Sequence, residues 1–424
     1  MVIANMIGVG VFTSVGFQVS GLPSAWVILS LWLVGGILSL CGALCYAELV
    51  AMMPRSGGEY HLLREAYHPL AGFLAGWVSL VAGFAAPIAL SSMAFAKYAQ
   101  HFGLNADTFL LAGSLVLAVA ALNLASVKWL GRVLTGFTAL KVLLILGFIG
   151  GALLLQDRPR NTFTWEMNDA HLLLSTPYAV SLVYVMFAYE GWNGAAYVAG
   201  EVKEPQRTIP LALLCGTLLV TLLYAAVNAV FLWCTPWDQI ANKEEAALIA
   251  ANAIFGSTGG KFMGFLIAFG LISTVASMLW AGSRVNQRMG QDAPFLSALA
   301  RTNEAGTPWV AVLVVAAVAL LMLGTGTFRQ ILSYVQCLLL LSSGLAVLGV
   351  VVMRLRRPEL PRPFRVPLYP ITPLLFILMA GYMIRQKAID GLTELTWGLA
   401  TLVLGGVVYF CGPRLRLLLQ PSPK

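Results

Sequence analysis

Glu190, Gly191, Asn193 and Gly194 stand together in YVMFAYEGWNG, residues 184–194, inside an apolar run that otherwise reads as one helix over about 175–199. A second interruption, NMIGVGVF, covers Asn5 to Phe12, with Gly8 and Gly10 at its centre. Glycine costs about 1 kcal/mol against alanine inside a helix and frees the backbone to leave helical geometry. In hydrocarbon, such unwound backbone survives only where it lines a cavity or touches something that satisfies its N–H and C=O groups. A zwitterion satisfies both kinds. Its carboxylate suits the positive N-terminal end of a half-helix, and its ammonium suits carbonyls at a half-helix C-terminus. On this reading the N–H groups from Gly8 through Val9, Gly10 and Val11 to Phe12 receive a carboxylate, while carbonyls near Ile7, Phe187 and Glu190 receive an ammonium. The competing reading is that the glycines only let helices approach closely.

Three side chains add chemistry to these breaks. Lys141, in TGFTALKVLLIL, lies deep in an apolar run, where a lysine costs about 2.5–3.5 kcal/mol on insertion scales and faces the bundle interior with a partner. It suits a proton-carrying group or a fixed cation standing where a metal ion would bind; snorkelling to an interface is the alternative. Glu190 is the one carboxylate deep within a run. It reads equally as a solvated cavity wall, a proton site or a counter-charge for a cationic side chain. Phe187, three residues before it, fits an aromatic lid over a pocket or ordinary packing.

The elements that must position these residues follow from composition. Of 424 residues, 59% are hydrophobic and only 10% charged, which excludes a soluble globular core. The apolar runs have the length an α-helix needs to cross about 30 Å of hydrocarbon, not the alternation of barrel strands. Twelve spans are expected: 1–19, 25–52, 70–99, 108–125, 131–155, 172–199, 208–234, 261–290, 308–325, 328–353, 368–386 and 395–413. The chain enters the first span at once, so that helix reads as truncated upstream. With the N-terminus cytoplasmic, most of the 26 Lys and Arg fall on the inner side, including Arg55, Arg64, Arg288, Arg354 and Arg362; Lys97, Arg158, Arg160 and Lys243 fall outside. That bias is the one cytoplasmic loops carry. The C-terminus is then cytoplasmic too. The net charge of +8 fits topology and contact with anionic lipid, and no basic domain or aromatic platform suits nucleic acid.

No loop is long enough to hold a separate soluble core. The 235–260 connection carries a helix-like segment, Lys243 to Phe255, that reads as a cap over an outward cavity. Residues 354–367, RLRRPELPRPFRVP, form a basic, proline-rich linker. The division is therefore a core of spans one to ten (1–353), in two halves of roughly 1–155 and 172–353, followed by the linker and spans eleven and twelve (354–424). The broken first and sixth spans lie five spans apart, so the halves take opposite orientations in the membrane, as an inverted repeat requires. Paired glycine-interrupted spans point to a transporter's substrate site. The six cysteines show no metal-ligand spacing, and no HExxH, nucleophile elbow or GxxxxGK[ST] element occurs. An enzyme and a metal or other cofactor are not expected.

Several stretches together resemble the amino acid–polyamine–organocation transporter superfamily, and within it the L-type amino acid transporter branch in its bacterial form. IGVGVF is similar to that family's first-span glycine signature, and GALCYAELVAMMPRSGGEYHLLREAY (42–67) to its second span and following re-entrant segment. FAYEGWN (187–193) matches the sixth-span break, and EVKEPQRTIPLAL the loop after it. The resemblance implies an all-α integral membrane protein with a five-plus-five inverted repeat, alternating access and L-amino acids as substrates. It places Phe187 at an aromatic gate, Asn193 among the polar residues of the broken sixth helix, and Lys141 where sodium-dependent relatives bind sodium. Glu190 departs from the small residue often found there, which would shift preference toward cationic amino acids or polyamines. YAQHFGLNADT, between the third and fourth spans, has no cysteine, so no disulfide-linked accessory subunit is expected.

The expectation is thus a multi-pass carrier of the bacterial inner membrane. It moves L-amino acids, neutral ones foremost, without sodium, as a proton symporter or an exchanger. A cationic amino acid or polyamine carrier is the alternative, and a channel or non-transporting sensor the rival of another class.

Overall fold

The computed structural model describes residues 2–125, 127–155, 161, 163 and 169–419. Most of the 156–171 connection, with Arg158 and Arg160, lies outside the described residues, as do Lys424 and the side chains of Lys128, Arg132, Arg414 and Arg416. Among the described residues every regular element is helical.

The first span is two pieces, α1 (Val2–Met6) and α2 (Gly10–Val19), separated at residues 7–9. Then come α3 (Ala25–Met52), the short amphipathic α4 (Glu59–Ala66), and a third span built from α5 (Pro69–Val78), a π-helical stretch (Ser79–Ala85) and α6 (Ala86–His101). Hydropathy gives no sign of that π stretch. Its local cause is Pro87, which has no N–H to offer the Gly83 carbonyl and whose ring crowds it, so the ladder widens one turn earlier.

Helices α7 (Thr108–Ala125), α8 (Val127–Leu155) and the turn α9 (Asp169–Leu172) lead to the second broken span. This span is α10 (Thr176–Tyr189), a break at Glu190–Gly191, and a 3-10 segment (Trp192–Glu201). Ser175 caps α10 by accepting from the Tyr178 N–H, while Gly191 takes φ +107°, a conformation that favours glycine. The chain continues through α11 (Pro205–Cys234), α12 (Trp237–Ile240), α13 (Ala246–Asp292), a 3-10 turn (Pro294–Ala300), α14 (Trp309–Thr325), α15 (Phe328–Arg356), α16 (Ile371–Asp390) and α17 (Thr393–Leu419). The helix-like segment expected before the eighth span is continuous with it in α13, bent at Gly256, where φ is +71°.

Among the described residues seven helices are long and apolar enough to cross a membrane, and α2, α7 and α14 are shorter apolar ones. Large apolar side chains point outward from the peripheral helices: Leu122 is 67% exposed, Leu154 85% and Phe410 64%. A continuous apolar exterior of this kind is compatible with lipid, not water, and the chain is a multi-pass membrane protein. The interior is formed by α1, α2, α3, α10, α11, α13 and α15. Small residues bring these helices together, as membrane packing requires: a Cβ on Gly36 of α3 would stand 2.3 Å from Thr221 Cγ2 of α11.

Candidate functional site

The two breaks predicted from sequence meet. A Cβ on Gly10 would lie 2.5 Å from Ala188 Cα, and one on Gly191 would lie 2.8 Å from the Asn5 carbonyl carbon. Each break therefore packs glycine against the backbone of the other. Four helix ends converge there: the C-termini of α1 and α10, and the N-termini of α2 and of the 3-10 segment. The Phe12 N–H donates to the Val9 carbonyl and the Glu190 N–H to the Phe187 carbonyl, both at 3.1 Å; the other N–H groups in the first turn of a helix and carbonyls in its last turn have no partner within the helix.

Between them lies a cavity of about 40 Å³, lined by Asn5, Gly8, Val9, Gly10, Phe187, Glu190 and Asn193, among others. At about 10–15 Å³ per water, it has room for a few waters only. The π-helical stretch contributes Gly83 and Phe84, and Ser91 of α6 and Thr274 of α13 complete the wall. Ile7 instead lines a smaller adjoining cavity with Gly8, Lys141 and Thr274. Val11 is fully buried and lines neither. Lys141 is 4% exposed; its Nζ donates to Thr274 Oγ1 at 2.9 Å and to the Ala4 carbonyl at 3.4 Å. A span-five lysine thereby ties the first broken helix to α13.

Both ends of the central cavity are closed. On the face carrying the 235–245 loop, Phe17 of α2 packs on Tyr184 of α10 and Phe328 of α15, with ring centroids 5.6 and 6.1 Å away. Arg329 Nε donates to the Tyr184 hydroxyl at 2.9 Å. The loop itself sits on α2: the Asn242 N–H donates to the Gly16 carbonyl at 2.8 Å. On the opposite face, the loop entering α4 and the first residue of that helix lie against the 3-10 segment. Glu59 there accepts from the Tyr46 hydroxyl at 2.9 Å and from Asn193 Nδ2, and the latter also contacts the Tyr197 hydroxyl at 3.2 Å. Asp292 at the end of α13 collects Arg55, Arg64 and Arg288 at 3.8, 3.2 and 3.3 Å, binding α4 down.

Sequence reasoning missed Tyr224, whose hydroxyl reaches the Met6 carbonyl at 2.6 Å and the Ala188 carbonyl at 3.1 Å. It sits in an apolar run with no pattern to mark it. Asn5 was visible at the edge of the first glycine signature, and Thr274 in the small polar run ISTVAS. Glu59 lies outside every expected span, so a search for intramembrane charge passes over it. Among the described residues no cluster of His, Cys, Asp or Glu could hold a metal ion.

Known proteins align with nearly the whole chain. It is 30% identical to the mouse (Mus musculus) large neutral amino acids transporter small subunit 2, over 97% of this chain and 79% of that protein. It is 26% identical to the human (Homo sapiens) b(0,+)-type amino acid transporter 1, over 97% and 85%. To the serine/threonine exchanger SteT of Bacillus subtilis it is 29% identical, over 98% and 95%. A family model described as amino acid permease matches residues 1–408. The chain belongs to the amino acid permease family, and it is a membrane transport protein rather than an enzyme.

Proposed function

We propose that this protein is a secondary active transporter of L-amino acids, neutral ones foremost, working without sodium by alternating access as a proton symporter or an exchanger. The observation that carries the reading is the meeting of two glycine breaks at one closed cavity, with half-helix ends of both polarities around it. Broken helices at membrane depth bring backbone N–H and C=O groups to the two ends of a zwitterion. The N–H groups of Gly8 to Val11 take the carboxylate, carbonyls at Ile7, Phe187 and Glu190 take the ammonium, and Phe187 closes over the bound molecule. A cavity of a few waters' size means that substrate entry must accompany opening.

The proposed arrangement has twelve crossings, two of them the broken first and sixth. Spans one to ten form inverted halves, and residues 354–424 are appended. Both termini face the cytoplasm, which makes the α4 face the inner one and the 235–245 face the outer one. The protein works in the inner membrane without a disulfide-linked partner chain.

A second reading, transport of cationic amino acids or polyamines, is favoured by Glu190, a carboxylate in the cavity wall with no salt bridge among the described residues. Glu190→Gly is expected to change side-chain selectivity more than expression, and an identical substrate profile would leave Glu190 structural.

The deciding experiment is uptake of labelled alanine, leucine and arginine into proteoliposomes, with and without an inward proton gradient, and with unlabelled amino acid preloaded. Gradient-driven accumulation of a neutral amino acid identifies a symporter, and flux only after preloading an exchanger. Arginine as the preferred substrate selects the second reading. Non-saturable conductance would mean a channel, and binding without flux a sensor; either would end the proposal.

A further inference from the structure

We infer that Glu59 is the latch of a gate on the α4 face, holding the second half of the broken sixth span closed over the cavity. The inference rests on the alternating-access reading, because a latch matters only if that face opens.

The segment Trp192–Glu201 is a 3-10 helix, with about three residues per turn, so residues three or four apart lie along one stripe. The loop entering α4 follows that stripe in the opposite direction. Glu59 accepts from Asn193 Nδ2, the Gly58 N–H donates to the Ala196 carbonyl at 3.3 Å, and the Gly200 N–H donates to Ser56 Oγ at 3.0 Å. Gly58 is required at its place: its φ is +53°, and a Cβ there would stand 2.2 Å from the Tyr197 ring. Three attachments thus step along the segment, and only the one at Glu59 is both charged and buried, at 3% exposure.

A hydrogen bond to an ionised group is about twice as strong as a neutral one, so Glu59 dominates the set. The Tyr46 hydroxyl holds the same oxygen, Oε1, from α3, so the latch joins three elements. The other oxygen, Oε2, is buried without a hydrogen-bond partner. Glu59 therefore grips through one oxygen. A carboxylate fully satisfied on both oxygens would make a permanent staple. One held through a single oxygen can let go.

The bland alternative is that Glu59 is merely a favourable acid in the first turn of α4. The two differ in what loosens when it is removed. Hydrogen exchange on the purified full chain, with Glu59→Ala and Glu59→Gln, reads this directly. Loss of the latch should speed exchange in 192–201 about tenfold or more, while the peripheral helix 108–125 stays within about twofold. Glu59→Gln keeps an acceptor for Tyr46 and Asn193 and should fall between wild type and alanine. In proteoliposomes, alanine substitution should shift the exchange KM on the α4 side about fivefold or more and spare the other side.

Unchanged exchange at 192–201 in folded Glu59→Ala would overturn the latch, as would an equal rise over 108–125. Should the alanine variant fail to fold, Glu59→Gln carries the test, with about a threefold rise confined to 192–201 as the supporting result and no rise as the overturning one. The exchange measurement needs no substrate, so a failed latch and a failed transport reading give different results.

Discussion

Lys141 Nζ donates to Thr274 Oγ1 at 2.9 Å while also reaching the Ala4 carbonyl at 3.4 Å. One buried ammonium therefore holds α8, α13 and the last turn of α1 in a fixed relation beside the first break. Under the proposed alternating access, removing it should free α1 to move independently of α13 and upset the balance between the conformations facing the two sides of the membrane. Lys141→Ala is expected to keep substrate binding within about tenfold and to lose gradient-driven uptake, a drop of about a hundredfold or more. Thr274→Val, which removes the 2.9 Å acceptor but not the charge, should cost less. The check is uptake at several pH values beside equilibrium binding; unchanged, pH-dependent uptake in Lys141→Ala would remove its coupling role.

The two glycines of the first signature should not tolerate change equally. A Cβ on Gly10 would clash with the Ala188 backbone at 2.5 Å, and backbone cannot step aside. At Gly8 the nearest atom would be Thr274 Cγ2, at 3.7 Å, an ordinary contact. Gly10→Ala should therefore push the two breaks apart and abolish substrate binding, while Gly8→Ala folds and binds within about tenfold of wild type. Binding assays on both purified variants test the difference. Equal effects would show that crossing of the breaks is not what limits the site.

Tyr224 contributes through its hydroxyl alone. It donates to the Met6 carbonyl at 2.6 Å and contacts the Ala188 carbonyl at 3.1 Å, so it fastens the C-terminal ends of both half-helices. Tyr224→Phe preserves the ring packing against Trp32 and Tyr189 and leaves buried carbonyls unpaired, at about 1–3 kcal/mol. Expected are a lower Tm and substrate affinity weakened by about tenfold, both measurable on the detergent-purified protein.

How much of this was legible beforehand depends on how local the cause is. The breaks at Gly8–Gly10 and Glu190–Gly191 were readable because glycine acts on its own backbone, and Lys141 because a charge in an apolar run is conspicuous wherever it points. Most helix bounds followed from hydropathy to within a few residues, α3 and α7 at the expected ones, while α13 begins well before the expected eighth span, at Ala246. Tyr224 and Glu59 were silent because their roles come from partners far away in sequence: Glu59 and Asn193 are 134 residues apart. The π-helical stretch was missed for another reason. Pro87 reads as a kink or a helix start, and its effect on the preceding turn depends on how the neighbouring helices let the ladder widen.

The linker after the tenth span is predicted to be a staple and not a tether. Glu48 of α3, 1% exposed, accepts from Arg354 Nε and Nη2 of α15 at 2.8 and 2.6 Å, and from the Val366 N–H at 2.7 Å. Arg354 also stacks over Tyr369, 3.8 Å from the ring centroid. Breaking one side of a buried, bidentate pair costs about 3–5 kcal/mol, of which Arg362 Nε, 3.7 Å from Glu48 Oε1, offsets a part. Arg354→Ala should thus lower Tm strongly, whereas Glu48→Gln with Arg354→Met, which removes both charges, should recover much of the loss. A double-mutant cycle in detergent measures the coupling; additive losses would show that the pair is not a unit.

Glu244 gives the fold a pH dependence on the face carrying the 235–245 loop. Burial holds its carboxyl above the usual glutamate range; Lys97 opposes the shift and Glu245 adds to it. One of its oxygens, Oε2, is buried without a hydrogen-bond partner, so nothing compensates the ionised form there. The folded state then binds this proton more tightly than the unfolded chain does. Stability contributed by Glu244 is present below the ordinary glutamate value, near about pH 4.3. It falls as pH rises through the higher folded value and is flat above that. Because the side chain is only partly buried, solvent screens the effect and the expected change in Tm is small. Glu244→Gln, which cannot ionise, should raise Tm at pH 7 and leave it unchanged near pH 4, flattening the profile. Melting curves of both proteins across that interval test the sign: a variant less stable than wild type at pH 7 would mean that the ionised carboxylate is stabilised by Lys97 more than burial penalises it.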